Sequence, residues 1–376
     1  MQRFLRHYYP SDMRRKFLMK KITFLLLLVS FVSVAQHKET TTVEIPEKEK
    51  GLKATIKEEI NHHILDSYDF GLFSYTNDYN EKAHFGFSLP VILWDNGLKV
   101  FSSSKFHYGE TLAKIDGNYY KVYHNKIYKT DAEGTINYDA KHYPTNIKPL
   151  DFSITKNVVM IFVVFLIMFF MFKRMAKGYQ KNSGMPKGIG RLLEPIVLYI
   201  RDDIARPNIG EKHYKRYMSY LLTIFFFVWI VNLFGLTPIG VNINNNIAVT
   251  FALAIFTYII TTFTAKKEYW KHIFWMPGVP VPMKIILAPI ELLGTIIKPF
   301  SLMIRLYANI TAGHIVLYSI IGLMFIFNNW LGSSLSFFLA FVLGILELLV
   351  AALQAYIFTM LSALYFGAAV EEHDDH

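Results

Sequence analysis

Long apolar runs fill the last two thirds of the chain, and shorter runs punctuated by turn residues occupy the stretch before them. The long runs predict membrane spans at about 157–173, 218–236, 247–265, 285–327 and 335–370; the entry to the last hairpin, 281–298, is expected to be broken by Pro282, Pro289 and Pro299, and its turn to lie at 328–334. Between the first two, residues 188–210 keep Leu192, Leu193, Ile196, Val197 and Ile200 on one side. The same stretch carries Arg191, Glu194, Arg201, Asp202, Asp203 and Arg206, so it predicts a helix lying in the membrane interface. Upstream, aromatic-rich runs at Phe85–Trp94, Leu98–Phe106 and Tyr119–Tyr128 are separated by Asp95-Asn96-Gly97 and Asp116-Gly117, which are turn signals. They predict a small β-rich module within 36–152, preceded by a charged stretch, Glu44–Glu59, read as helical or flexible. Near the start, Met19-Lys20-Lys21 leads into apolar Ile22–Val32 and then small residues up to Ala35. That is a secretory signal at 1–35, with 1–18 as an upstream extension and an uncleaved anchor as the alternative. The expected fold class is therefore an all-α polytopic membrane domain, 153–376, with a tilted C-terminal helix hairpin, a cytoplasmic interfacial helix and a β-rich extracytoplasmic module.

The last two long apolar runs, about Phe300–Phe327 and Leu335–Val370, each hold one charged residue, Arg305 and Glu347. A charge at the centre of a bilayer costs about 2.5–3.5 kcal/mol even on insertion scales, so each needs a reason. Arg305 as a helix-end arginine snorkelling to the interface is the plain reading. Helix length opposes it: at ~1.5 Å per residue, 335–370 makes a rod of ~54 Å, far longer than a hydrocarbon core of ~30 Å, so the hairpin must tilt and carry its middle to mid-membrane. In an antiparallel hairpin the numbers of facing residues sum to a nearly constant value, and the sums for Arg305 with Gln354 and for His314 with Glu347 differ by only two. Two polar levels are expected, Arg305 with Gln354 and, nearer the turn, His314 with Glu347. On a helical wheel Glu291, Lys298, Ser301 and Asn309 lie within about 40° of Arg305 and form a polar stripe with it. His314 falls on the opposite side. Arg305 is thus expected to face a partner protein, and His314 a separate aqueous path.

Charge then orients the chain. Lys173, Arg174, Lys177, Lys181, Lys187 and Arg191 follow the first span, and four lysines lie in 266–284, whereas 237–246 and 328–334 contain no Lys or Arg. By the positive-inside rule the chain enters from outside and its acidic tail, Glu371–His376, ends in the cytoplasm. The formal charge of +10 and pI near 9.3 follow from this bias and imply no nucleic-acid partner. With no cysteine, disulfides and thiolate chemistry are excluded. His62 and His63 lack a third ligand, and with no His-Glu-x-x-His and no P-loop, neither a metal centre nor a cofactor is expected.

The stretch Pro289-Ile-Glu-Leu-Leu-Gly-Thr-Ile-Ile-Lys-Pro-Phe-Ser-Leu-Met-Ile-Arg305-Leu-Tyr-Ala-Asn309-Ile-Thr-Ala-Gly313-His314 closely resembles the signature of ATP synthase subunit a. So do Gln354-Ala-Tyr-Ile-Phe and Val231-Asn232-Leu-Phe-Gly-Leu-Thr-Pro, and the likeness covers about 150–372. The resemblance implies a stator beside a rotating ring of c subunits, assembled with b subunits and the rest of the ATP synthase in a bacterial inner membrane. Two aqueous half-channels would pass protons, or sodium in its place. Arg305 matches the family's essential arginine, with Gln354 holding the guanidinium and Asn309 one turn on. Glu347 and His314 stand where many relatives carry the same two residue types in the reverse order, and would serve an outer half-channel whose entrance Asn232 lines. Glu291 and Ser301 would serve the cytoplasmic exit. The external module is expected to dock near the outer proton entrance.

Other readings leave more unexplained. An ion-coupled secondary transporter would also place charges at mid-membrane, but the two halves show no inverted repeat. A membrane hydrolase lacks ligands, and an anchoring protein would leave both intramembrane charges without purpose.

Overall fold

The computed structural model describes residues 66–371 apart from 77–81, 110, 142, 182–184, 186–187, 238–242, 277 and 328. The predicted signal and its extension, the Glu44–Glu59 stretch, His62-His63 and residues 372–376 lie outside the described residues.

Among the described residues eight strands form three small antiparallel sheets. In one, β1 (Asp69–Thr76) pairs with β2 (Lys82–Ser88); in the second, β3 (Pro90–Trp94) lies between β4 (Leu98–Ser102) and β8 (Leu150–Asp151). The third is the meander β5 (Ala113–Ile115), β6 (Asn118–Tyr123) and β7 (Lys126–Thr130). Asn96-Gly97 and Asp116-Gly117 make the expected turns, with positive φ at all four residues. Each of the three predicted runs needs correction. Phe85–Trp94 changes sheet at buried Leu89, so it contributes to two strands. Leu98–Phe106 stops as a strand at Ser102 and continues as a 3₁₀ turn, Ser103–Gly109, which drops Phe106 into the module's core. Tyr119–Tyr128 is a hairpin that reverses at His124-Asn125 (φ 46° and 57°), a left-handed pair without glycine. Val91, Leu93, Phe101, Phe106, Tyr120 and Ile127 fill the core between the second and third sheets.

The module is built onto the first long helix, α1 (Lys156–Lys181). The Asp66 carboxylate accepts from the Asn157 N–H at 3.1 Å and the Ser67 carbonyl from the Lys156 N–H at 2.9 Å, so two otherwise unpaired helix-start donors are satisfied from the module. Burial raises the Asp66 pKa above the usual aspartate value, opposed by these hydrogen bonds. Phe70 and Leu89 pack into the same apolar cluster as Met160 and Val164 of α1.

Next come α2 (Ile189–Tyr199), a π-helical stretch (Ile200–Ala205) and the short α3 (Arg206–Ile209), which together occupy the predicted interfacial segment. Leu193, Ile200 and Ile204 are buried, whereas Leu192 stays exposed, against the expected apolar face. Asp202 accepts from Arg201 and from Arg206, and the Arg201 hydrogen bonds hold its carboxyl below the usual range.

Four further long or linking helices precede the C-terminus: α4 (Tyr214–Gly235), α5 (Ile247–Thr264), α6 (Lys267–Phe274) and α7 (Val281–Ile326). The chain closes with α8 (Trp330–Val370). Among the described residues five helices, α1, α4, α5, α7 and α8, are long and apolar enough to cross a membrane. At ~1.5 Å per residue α7 is ~69 Å long and α8 ~62 Å, so neither can stand upright in a ~30 Å core. Two expectations are corrected here. Pro282, Pro289 and Pro299 do not break the entry to the hairpin: Pro282 lies in the first turn, where no N–H is needed, and the helix runs through the other two. The hairpin turn is also tighter than 328–334, because Asn329 caps α8 by accepting from Leu331 N–H at 3.0 Å.

The helix-domain core forms where α8 packs against α4 and α7. At its far end Gly367 of α8 meets the α3 terminus, so closely that a Cβ there would fall 1.8 Å from the Asn208 carbonyl oxygen.

Candidate functional site

The hairpin does bring His314 of α7 and Glu347 of α8 together. His314 Nδ1 lies 3.2 Å from Glu347 Oε1, with side chains only 4% and 11% exposed. The atoms are not aligned for a hydrogen bond, and Nδ1 and both Glu347 oxygens have no hydrogen-bond partner among the described residues. A buried carboxyl and imidazole in contact yet unsatisfied is a costly arrangement that ordinary packing would not retain. It suits groups that exchange protons with one another or with water. Gly313 makes the approach possible, since a Cβ at that position would stand 3.0 Å from Glu347 Oε1. Tyr318, one turn on, stacks on the His314 ring with centroids 6.2 Å apart.

A second buried polar group touches α8 one turn further along. Asn232 of α4 donates to the Ala351 carbonyl at 3.3 Å, and its own Oδ1 accepts from Asn244 at 2.6 Å. Asn244 is fully buried in the Ile243–Asn245 turn that precedes α5, and its Oδ1 has no partner among the described residues. Sequence reading found Asn232 but missed Asn244 and the clearance role of Gly313. The run Asn244-Asn245-Asn246 before an apolar helix was the available signal for the former; nothing local signals the latter.

The Arg305 level is built differently. Its neighbours Leu302 and Leu306 are buried in the core, while Arg305 itself is partly exposed and Ser301 and Asn309 are exposed. Gln354 is 3% exposed. The structure does not join Arg305 to Gln354: among the described residues the guanidinium has neither a hydrogen bond nor an ion pair, although it acts electrostatically on Tyr365. Further down the stripe Glu291 is partly buried and Lys298 exposed, with Lys298 Nζ 5.9 Å from the centre of the Tyr365 ring. Between α5, α6, α7 and α8 lies a cavity of ≈ 20 Å³, lined by Thr257, Thr261, Tyr269, Thr295, Lys298 and Tyr365 among others. That is room for one water among hydroxyl groups. The residues that α7 contributes to the cavity's wall, Thr295, Lys298, Pro299 and Leu302, fall between Glu291 and Arg305 along the helix. No group of three or more metal-ligating side chains occurs among the described residues.

Residues 158–367 match the family model described as ATP synthase A chain, which is more than half of the chain. The chain belongs to the ATP synthase subunit a family. It is 43% identical over 231 residues to ATP synthase subunit a of Chloroherpeton thalassium, covering 60% of this chain and 69% of the relative. Against ATP synthase subunit a 2 of Chlorobaculum tepidum it is 42% identical over 234 residues, covering 60% and 66%. The subunit a of Myxococcus xanthus is 40% identical over 237 residues, covering 60% and 77%. Residues 59–152 match a separate domain of unknown function (DUF8433), so subunit a similarity and the β-rich module divide at the start of α1. Family membership and five apolar helices make the chain a multi-pass membrane protein.

Proposed function

We propose that this chain is the stator of the proton channel in the Fo sector, presenting Arg305 to a rotating ring of c subunits. Within the ATP synthase it is a non-catalytic subunit of the proton channel. The observation that carries the reading is the contrast between the two polar levels of the hairpin: His314 and Glu347 close on each other, whereas Arg305 is left open on a face with Ser301 and Asn309.

A guanidinium keeps its proton in proteins, so Arg305 attracts an ionised carboxylate on the ring but passes no proton itself. It favours the ionised form of the carboxylate that faces it and so promotes proton release there. It also separates the two aqueous paths. On the outer side, protons pass along Asn232, Asn244, Glu347 and His314; two groups that both accept and donate protons suit that transfer. On the cytoplasmic side, Glu291 and Ser301 serve the exit, beside the hydroxyl-lined cavity. Gln354 and Asn309 complete the surroundings of Arg305 once the ring is in place. The module stands outside, the C-terminus inside, and b subunits hold the chain against rotation.

Arg305→Ala in the assembled complex tests this directly. ATP-driven proton pumping into membrane vesicles is expected to vanish with the complex intact. Unimpaired pumping would return Arg305 to the role of a snorkelling helix-end residue.

A further inference from the structure

The second sheet of the module carries its apolar residues on the wrong side for a soluble domain. Register places Ile92 opposite Val100, and Trp94 opposite both Leu98 and Leu150. All of these point away from the core, which takes the alternate residues Val91, Leu93 and Phe101. Trp94, Leu98, Val100, Leu150 and, just beyond β8, Phe152 are each more than half exposed. The charged residues of the same strands turn to the other side: Lys99 pairs with Asp116 at 3.4 Å, and Asp151 accepts from Tyr68. An outward sheet face without a charged residue marks an interaction surface rather than a water-facing one.

We propose that this face rests on the lipid leaflet at the end of the membrane where α1 begins. The strand that supplies Leu150 and Phe152 runs straight on into α1, keeping its pairing with β3 through Phe152 N–H to Ile92 O (2.9 Å) and Ile154 N–H to Pro90 O (3.1 Å). Two residues later the span starts, tied to the module by the Ser67 and Asp66 contacts and by Phe70 and Leu89 packing with Met160. Sheet and span therefore form one continuous body with no linker between them, and the sheet is held at the mouth of the span. The exposed apolar side of α1, including Phe162 and Phe165, continues the same kind of surface into the membrane. A tryptophan amid aliphatic and phenyl groups is the composition of membrane-interface belts. A lipid surface therefore fits this face, and the inference is independent of which side is outside and of any role for Arg305.

The chain contains no cysteine, so a spin label can be placed at one site of this subunit. Val100→Cys and Leu98→Cys on the apolar face, and Lys114→Cys on the exposed side of β5 as a control, are labelled in the assembled complex in phosphatidylcholine vesicles. Reactive cysteines of the other subunits are first replaced so that only this site is labelled, and ATP-driven pumping confirms that each labelled complex is assembled. Collisions with oxygen, which concentrates in lipid, are compared with collisions with a water-soluble nickel chelate. The labels at 98 and 100 are expected to favour oxygen and the label at 114 the chelate. If 98 and 100 behave like 114, the face lies in water and the proposal fails. It fails equally if both sites are shielded from both reagents, since protein then covers the face.

Discussion

The hairpin holds two polar levels a few helical turns apart, and they are opposite in construction. At the level of His314 and Glu347 every ionisable group faces another group of the same chain, in a gap that Gly313 keeps open. At the level of Arg305 the cation has no hydrogen-bonding or ion-pairing partner among the described residues and sits on a partly exposed face. A lone cation in hydrocarbon is not tolerated for stability. The difference teaches that one level brings its two ionisable groups together within this chain, whereas the other, on the proposed function, is half of a site whose anion another subunit would supply. Gln354, buried and unjoined to Arg305, fits a residue that engages only when that anion arrives.

Substitutions should separate the levels. The largest effect is expected from Glu347→Gln, which removes the carboxyl beside His314 without changing shape: proton pumping, followed by a pH-sensitive dye in vesicles, should fall about 100-fold or more, the usual scale for loss of a proton-transfer group. Gly313→Val should come next, because the added carbons enter the 3.0 Å approach to Glu347; pumping should drop while assembly is retained, and full activity would show that the His314 contact does not matter. Asn244→Ala strands the Asn232 carbonyl oxygen and should destabilise the complex by about 1–3 kcal/mol in thermal unfolding. By contrast Asn309→Ala, on the open face, should change stability by less than about 0.5 kcal/mol while weakening pumping. Equal destabilisation at the two sites would remove the distinction between a closed and an open level.

The smallest effect concerns the module. Hydrogen bonds from Lys129 and then Tyr120 hold the Asp95 carboxyl below its usual value of 3.8. A carboxyl with a depressed folded-state pKa adds stability above its unfolded pKa and loses it as pH falls through the folded one. Asp95→Asn should therefore lower the module's stability slightly at neutral pH, with the difference from the parent vanishing as pH falls below about 4 in acid-unfolding curves.

Sequence exposed the hairpin levels because antiparallel helices obey simple index arithmetic, and because charges in apolar runs are conspicuous. It exposed the Asn96-Gly97 and Asp116-Gly117 turns and the five apolar helices for the same kind of reason, a local signal with one cause. The His124-Asn125 reversal escaped because neither residue is a glycine, although asparagine tolerates the left-handed region. The continuity of α7 through Pro289 and Pro299 escaped because the rule that proline ends helices is a rule for isolated helices, and here packed neighbours hold the rod together. Gly313 escaped for a deeper reason: what it does depends on Glu347, more than thirty positions away, and no short window of sequence contains both, whereas Asn244 lies within reach of Asn232 and carried a local signal that was not used. The expected Arg305–Gln354 contact shows the reverse limit, since matching depth does not make two side chains meet.

The central claim is that Arg305 is a fixed charge completing a site with another subunit and dividing two proton paths. Its most direct test is the passive proton conductance of membrane vesicles carrying Arg305→Ala after the catalytic head has been stripped off. A leak above that of the unmodified sector, with the complex still assembled, is the predicted result, because the barrier between the half-channels is gone. A conductance identical to the unmodified sector would contradict the claim that Arg305 separates them.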